Sequence, residues 1–94
     1  MKRVYWIHGA DGTVRGGHRH RRTRQALIAI RGRVTIHMDD GSHVEDIHLE
    51  SPDRCLLVEP EDWHTMEFGP GSVLLVIASR SYDKNDYIDE AYER

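Results

Sequence analysis

Punctuation constrains this chain more than any other feature. Short apolar runs recur with a turn signal after each, a rhythm that suits strands and leaves hardly any room for helices. The clearest run is Val34-Thr35-Ile36-His37-Met38, in which Val34, Ile36 and Met38 alternate with Arg33, Thr35 and His37. A period of two sets the apolar side chains on one face of a strand and His37 on the solvent face. Asp39-Asp40-Gly41-Ser42 follows as a hairpin signal. Beyond it Ile47 and Leu49 point inward, Asp46 and His48 point outward, and His43 lies by the turn, so all three of His37, His43 and His48 read as surface histidines.

The same rhythm runs through the rest of the sequence. Residues 2–8 form a strand with Val4, Trp6 and His8 on one face and Arg3, Tyr5 and Ile7 on the other; apolar groups on both faces predict a covered strand. Gly9-Ala10-Asp11-Gly12 turns it. Residues 25–30 are a short apolar strand ended by Arg31-Gly32. Ser51-Pro52-Asp53 breaks the pattern, residues 55–58 resume it, and Glu59-Pro60-Glu61-Asp62 turns it again. Residues 63–68 and the turn Gly69-Pro70-Gly71-Ser72 precede residues 73–78, the most apolar run and the expected central strand. The tail from 81 to 94 is polar and carries tyrosines, with a helical turn expected over 88–92. The architecture predicted is all-β, a sandwich or small barrel in one domain over 1–94, with the barrel ending near residue 80.

At 94 residues such a domain builds only a marginal core, which favours a partner subunit. Hydrophobic residues at 38% and charged residues at 31% exclude a disordered chain. No apolar run approaches the roughly 18 residues of a membrane span, so no membrane role is expected. The first residues lack a signal-peptide core, and a cytoplasmic location is the expectation. Cys55 is the single cysteine, which excludes an intrachain disulfide, and its apolar neighbours predict a buried thiol.

Chemistry concentrates in Gly12-Thr13-Val14-Arg15-Gly16-Gly17-His18-Arg19-His20. On an extended strand, His18 and His20 share a face. Arg15 ahead of the pair and Gln25 after it supply a guanidinium and an amide, ingredients for a metal site or for acid/base chemistry on an anion. Gly16 and Gly17 let backbone and ligand approach closely. Arg19, Arg21, Arg22 and Arg24 add a positive field. Interleaved aromatics are missing, which argues against nucleic acid and for a nucleotide or sugar phosphate.

The spacing of Gly12, His18, His20, Gln25 and Gly32 resembles the first cupin motif, Gly-x5-His-x-His-x3-4-Glu-x6-Gly, with Gln25 at the glutamate position. Pro60 and His64 loosely match the second motif, whose asparagine would fall at Phe68. Within the cupins the chain resembles the sugar 3,4-ketoisomerases of the WxcM-like, FdtA and QdtA type. The resemblance runs through Lys2-Arg3-Val4-Tyr5, Arg15-Gly16-Gly17-His18-Arg19-His20, Gln25, Leu49-Glu50-Ser51-Pro52, Trp63-His64, Val73-Leu74-Leu75-Val76 with Ala78-Ser79, and Tyr82-Asp83-Lys84-Asn85-Asp86-Tyr87-Ile88.

That resemblance implies a cupin jelly roll acting on a dTDP-4-keto-6-deoxyhexose, with no cofactor and no metal. Family members carry a further segment ahead of the Lys-Arg-Val-Tyr strand, so it also implies a jelly roll shortened at its N-terminus. His18 and His20 are implied as the proton-transfer pair. Arg15 is expected on the diphosphate, Tyr5 on the sugar or the developing enolate oxygen, and Gln25, Trp63 and His64 around the substrate. Tyr82 and Tyr87 read as packing residues. Partners expected are the nucleotide sugar and a second copy in a homodimer. Two alternatives stay open: a metal-dependent cupin using His18, His20 and His64, and a non-catalytic sugar-binding module.

Overall fold

The computed structural model describes residues 2–9 and 12–93. The turn expected at Gly9-Ala10-Asp11-Gly12 therefore lies partly outside the described residues. Nine strands are formed among them: β1 (Arg3–Gly9), β2 (Val14–His20), β3 (Gln25–Arg31), β4 (Val34–Asp39), β5 (Val44–Leu49), β6 (Leu56–Val58), β7 (Trp63–Phe68), β8 (Ser72–Ala78) and β9 (Tyr87–Ile88). A 3-10 turn at Lys84–Asp86 is the helical element among them. No helix of the described residues is long and apolar enough to cross a membrane.

The strands pair antiparallel in two sheets, ordered β1-β8-β3-β6 and β5-β4-β7-β2-β9. As the apolar run predicts, β8 is internal, between β1 and β3. The alternation in β4 holds: Val34 and Ile36 are buried, as is Leu49 on β5. His37 stands on the outer face, where its Nδ1 meets Asp46 at 2.7 Å and its Nε2 meets Glu67 at 3.2 Å. Leu27, Ala29, Leu74 and Val76 from one sheet pack against Val34, Ile36, Met66 and Phe68 from the other, the apolar inner faces of a β-sandwich. This is the all-β architecture of a cupin-like jelly roll.

Three expectations give way. Cys55 is exposed, because it precedes the three-residue β6 instead of lying within it. The tail forms its helical turn at Lys84–Asp86, ahead of the expected 88–92, because Asp83 caps it by accepting the Asn85 N–H at 3.0 Å. Residues 87 and 88 are instead drawn out as β9 by pairing with β2. Finally, β1 is an edge strand covered on one face only: Val4 is 42% and Trp6 55% exposed. They belong to an outer face whose central rows are apolar, Val4, Ile77, Ala26, Leu57 and Trp6, Leu75, Ile28 running across the strands, with His8 and Arg31 flanking Val73 in the next row.

Candidate active site

Strand β2 builds the site through a bulge. Arg15 pairs with Met66 and Gly16 with Thr65, but the next pairing is His18 with His64, so Gly17 is an extra residue. Met66 and His64 both face inward, and their partners share that face. The extra residue thus flips the alternation and turns Arg15, His18 and His20 onto one inner surface. Gly16 and Gly17 carry φ of 91° and 89°, values that side-chain-bearing residues rarely adopt. The glycines expected to give space also supply the backbone geometry that gathers the site.

The three imidazoles form a cluster. Ring centroids of His18 and His20 are 5.1 Å apart, those of His18 and His64 5.3 Å, and those of His20 and His64 6.3 Å. His64 Nδ1 lies 3.0 Å from the Asp62 carbonyl oxygen, which only accepts, so Nδ1 carries the proton and Nε2 keeps its lone pair. His20 is buried, and neither of its ring nitrogens has a hydrogen-bond partner. Burial first, then the charges that neighbouring His64 and His20 would carry, push His18 down to about 4 against a weak opposing pull from Asp89. Burial and His64 likewise push His20 down to about 4, opposed by Asp86. Burial also lowers His64. All three are neutral near pH 7.

A cavity of about 370 Å³ opens beside this cluster, lined by Tyr5, Arg15, His18, Gln25, His64 and Met66 among others. The Gln25 amide donates to the Tyr5 hydroxyl oxygen at 3.3 Å, leaving the phenol proton free to donate elsewhere. Burial and nearby Tyr87 raise the Tyr5 pKa, against Arg3 and the Gln25 bond, so the phenol stays protonated. The Arg3 guanidinium sits 4.1 Å above the Tyr5 ring. Arg15 is exposed at the mouth, where a guanidinium can meet an anion.

Of the expected site residues, Tyr5, Arg15, His18, Gln25 and His64 line the cavity together. His20 stands behind His18. Trp63 is half-buried beside Gly17, its indole N–H buried without a partner, and is not among the lining residues. Among the described residues no group of three or more His, Cys, Asp or Glu side chains is arranged to hold a metal ion.

Tyr87, read from the sequence as a packing residue, packs against the site itself. Its ring centroid lies 4.6 Å from that of His18 and 4.7 Å from that of His20. A two-residue strand has no periodicity to read, and it is the pairing of Tyr87 with His20 that reveals which residues it packs against.

An antiparallel sandwich whose inner face passes from apolar side chains to imidazoles around a cavity is a cupin-type small-molecule site. More narrowly, the chain belongs to the FdtA family, described as WxcM-like, C-terminal, which matches residues 1–93. It is 40% identical over 90 residues to the TDP-4-oxo-6-deoxy-alpha-D-glucose-3,4-oxoisomerase of Aneurinibacillus thermoaerophilus, covering 94% of this chain and 65% of that protein. The QdtA sugar 3,4-ketoisomerase of Thermoanaerobacterium thermosaccharolyticum in complex with TDP superposes with a TM-score of 0.89 at 40% identity, over 95% of this chain and 66% of that one. The WlaRB TDP-quinovose 3,4-ketoisomerase of Campylobacter jejuni gives 0.89 at 40%, over 95% and 70%. The chain thus spans just under two thirds of the length of the first two relatives.

Proposed function

We propose that this chain carries the active centre of a nucleotide-sugar 3,4-ketoisomerase, which moves the keto group of a dTDP-4-keto-6-deoxyhexose from C4 to C3. The observation that carries this reading is the shared cavity wall of Tyr5, Arg15, His18, Gln25 and His64, in a chain 40% identical to a relative named for that reaction.

In this reading the His18 imidazole, neutral near pH 7 and lining the cavity, takes the proton from C3. The C3–H electron pair forms the C3–C4 double bond and the C4 carbonyl pair moves onto O4, giving an enediolate. The Tyr5 hydroxyl, held by Gln25, donates to that oxygen. Loss of the O3 proton and protonation of C4 complete the isomerisation. C3 is oxidised as C4 is reduced, so the electrons balance within the sugar. A depressed pKa makes the imidazolium a strong acid, suited to returning the proton to carbon. His20 backs His18 in the relay, and His64 offers its Nε2 lone pair to a sugar hydroxyl. Arg15 clamps the diphosphate at the mouth. Trp63 acts on the substrate through the Gly17 backbone it stands beside.

The active form in this reading is a cytoplasmic homodimer in which a second copy covers the apolar outer face of β1-β8-β3-β6. Three strands of seven residues and one of three present a face of roughly 400 Å² by strand spacing and rise. Monomers rarely expose contiguous apolar patches beyond a few hundred Å². A two-fold pairing buries the same face of both copies.

Incubation with dTDP-4-keto-6-deoxyglucose in D2O, followed by NMR of the sugar, tests the reaction. Deuterium entering at C3 and C4 with appearance of the 3-keto product is expected. Tight binding without exchange would leave a sugar-binding module. Stoichiometric transition metal in untagged protein, with activity lost to chelator, would replace this mechanism with a metal-dependent one.

A further inference from the structure

Unlike His64, the His18 and His20 imidazoles lack the bonds that usually orient a catalytic histidine. Neither ring nitrogen of His20 has a partner although both are buried, and the contacts recorded for His18 are with other rings. Rotation about the bond to an imidazole ring is intrinsically broad, so without hydrogen bonds the ring plane is set by what packs against it. Among the described residues, two rings pack against both histidines. His64 does so from β7, and Tyr87 does so from the tail, its ring tilted 63° to His18 and 64° to His20.

We propose that Tyr87 is a positioning residue for the His18–His20 pair, carried to it by a clasp built on Asp86. The strand that bears Tyr87 has only two residues, too few to hold a side chain by pairing alone. Its anchor is the preceding residue. The Asp86 carboxylate accepts the Arg22 N–H at 2.8 Å, the Thr23 N–H at 3.3 Å and the Thr23 hydroxyl, and its carbonyl accepts the Arg21 N–H at 2.8 Å. These donors lie in the segment that leaves β2 just after His20. Asp86 therefore fastens the exit of the histidine strand to the entry of the tyrosine strand, fixing the Tyr87 ring relative to both imidazoles.

The clasp is itself stable. Burial works to raise the Asp86 pKa, but the Thr23 hydroxyl, the Arg22 N–H, the nearby His20 and the Thr23 N–H together outweigh it and hold the carboxyl below its ordinary value. Further out, the Tyr92 hydroxyl donates to the Glu61 carbonyl at 2.6 Å and the Arg19 guanidinium lies 4.1 Å over the Tyr92 ring. The tail thus grips both faces of β2. On this view, residues 84–92 complete the site from the far end of the chain.

The proposal deepens the isomerase reading and rests on it for kinetics, so the test has one arm that needs no turnover. In Tyr87→Phe the ring remains, and kcat within threefold of the parent is expected. In Tyr87→Leu kcat should fall roughly 10- to 100-fold, the scale of a small misplacement of a reacting group, with KM changed less than threefold. In the substrate-free protein, NMR of 15N-labelled imidazoles should show one set of His18 and His20 signals in the parent and in Tyr87→Phe. Broadened or doubled signals are expected in Tyr87→Leu. Asp86→Asn keeps the tyrosine and weakens only its tether, so it reports the same geometry should the leucine variant fail to fold, and the same changes at smaller amplitude are expected. Parent-like imidazole signals in folded Tyr87→Leu and in Asp86→Asn would overturn the proposal. Perturbed signals in a protein that never isomerises the sugar would sustain it and sink the isomerase reading instead.

Discussion

His64 and His18 stand opposite one another in the pairing of β7 with β2, their rings 5.3 Å apart at an angle of 69°. Only His64 has its tautomer fixed by a hydrogen bond, to the Asp62 carbonyl. The two histidines therefore have different tasks, one presenting a constant lone pair and the other free to gain and lose a proton. His18→Asn should lower kcat by at least roughly 10³-fold, since it removes the proposed general base. His64→Asn retains a donor for the Asp62 carbonyl and should cost about tenfold, an effect on orientation. Steady-state kinetics with calorimetric titration of TDP checks both, with nucleotide affinity expected to stay within threefold.

Acid should destabilise the fold through the buried histidines. His18 and His20 have folded pKa values of about 4 against an ordinary value near 6.5. Between those limits the unfolded chain binds more protons than the folded one, so stability rises with pH across the window and is lost as pH falls from about 6.5 to 4. Asp86, with its pKa depressed, adds a loss that begins only near and below the ordinary carboxylate value. His37 acts in the opposite sense. Asp46 and Glu67 raise its pKa, so its contribution is present at low pH and fades as pH rises through the folded value; at 37% exposure it is largely screened. Melting temperature should therefore drop steadily from pH 7 to pH 4.5, and the slope should flatten in His20→Asn.

The bulge should be sensitive to any side chain. At Gly17 an added Cβ meets nothing closer than Trp63 Cζ2 at 4.0 Å, so Gly17→Ala suffers backbone strain alone, about 1–2 kcal/mol. That corresponds to about 4–8 °C per kcal/mol for a domain of this size. Gly16→Ala adds contacts at 3.0 Å to the His64 carbonyl oxygen and 3.2 Å to Met66 Cε, and should melt lower still. Any relief that shifts the bulge also turns Arg15 off the inner face. A rise in KM for the nucleotide sugar should then accompany the thermal loss, measured by differential scanning fluorimetry beside kinetics.

What local sequence can reveal here follows from range. Alternation along Val34-Thr35-Ile36-His37-Met38 needs no knowledge of other strands, and the inward side of β4 is legible from it. The shared face of His18 and His20 is equally local. That Arg15 joins them depends on the register of β2 against β7, which spacing alone does not reveal. Tyr87 depends on a pairing across 67 positions. The exposure of Val4 and Trp6 turns on which strand ends the sheet, a property of topology that two apolar faces in β1 do not encode. Cys55 shows the same limit, because a neighbouring apolar run does not reveal where the strand begins.

The outer face of β1-β8-β3-β6 offers a prediction separable from catalysis. Leu57 is 65% exposed on β6, beside Ala26 on β3, and does not line the cavity. A charge at this position would be buried unpaired in a dimer, a penalty of several kcal/mol for each copy, yet would stay solvated in a monomer. Leu57→Glu should therefore shift a homodimer towards monomer in light scattering while leaving the monomer's circular dichroism unchanged. Trp6, on the same face, gives an internal probe: its emission should move to longer wavelength as a dimer separates, because in the proposed dimer the second copy covers an indole that is 55% exposed in the single chain. A parent protein that is monomeric at concentrations supporting full turnover would remove the dimer from the mechanism.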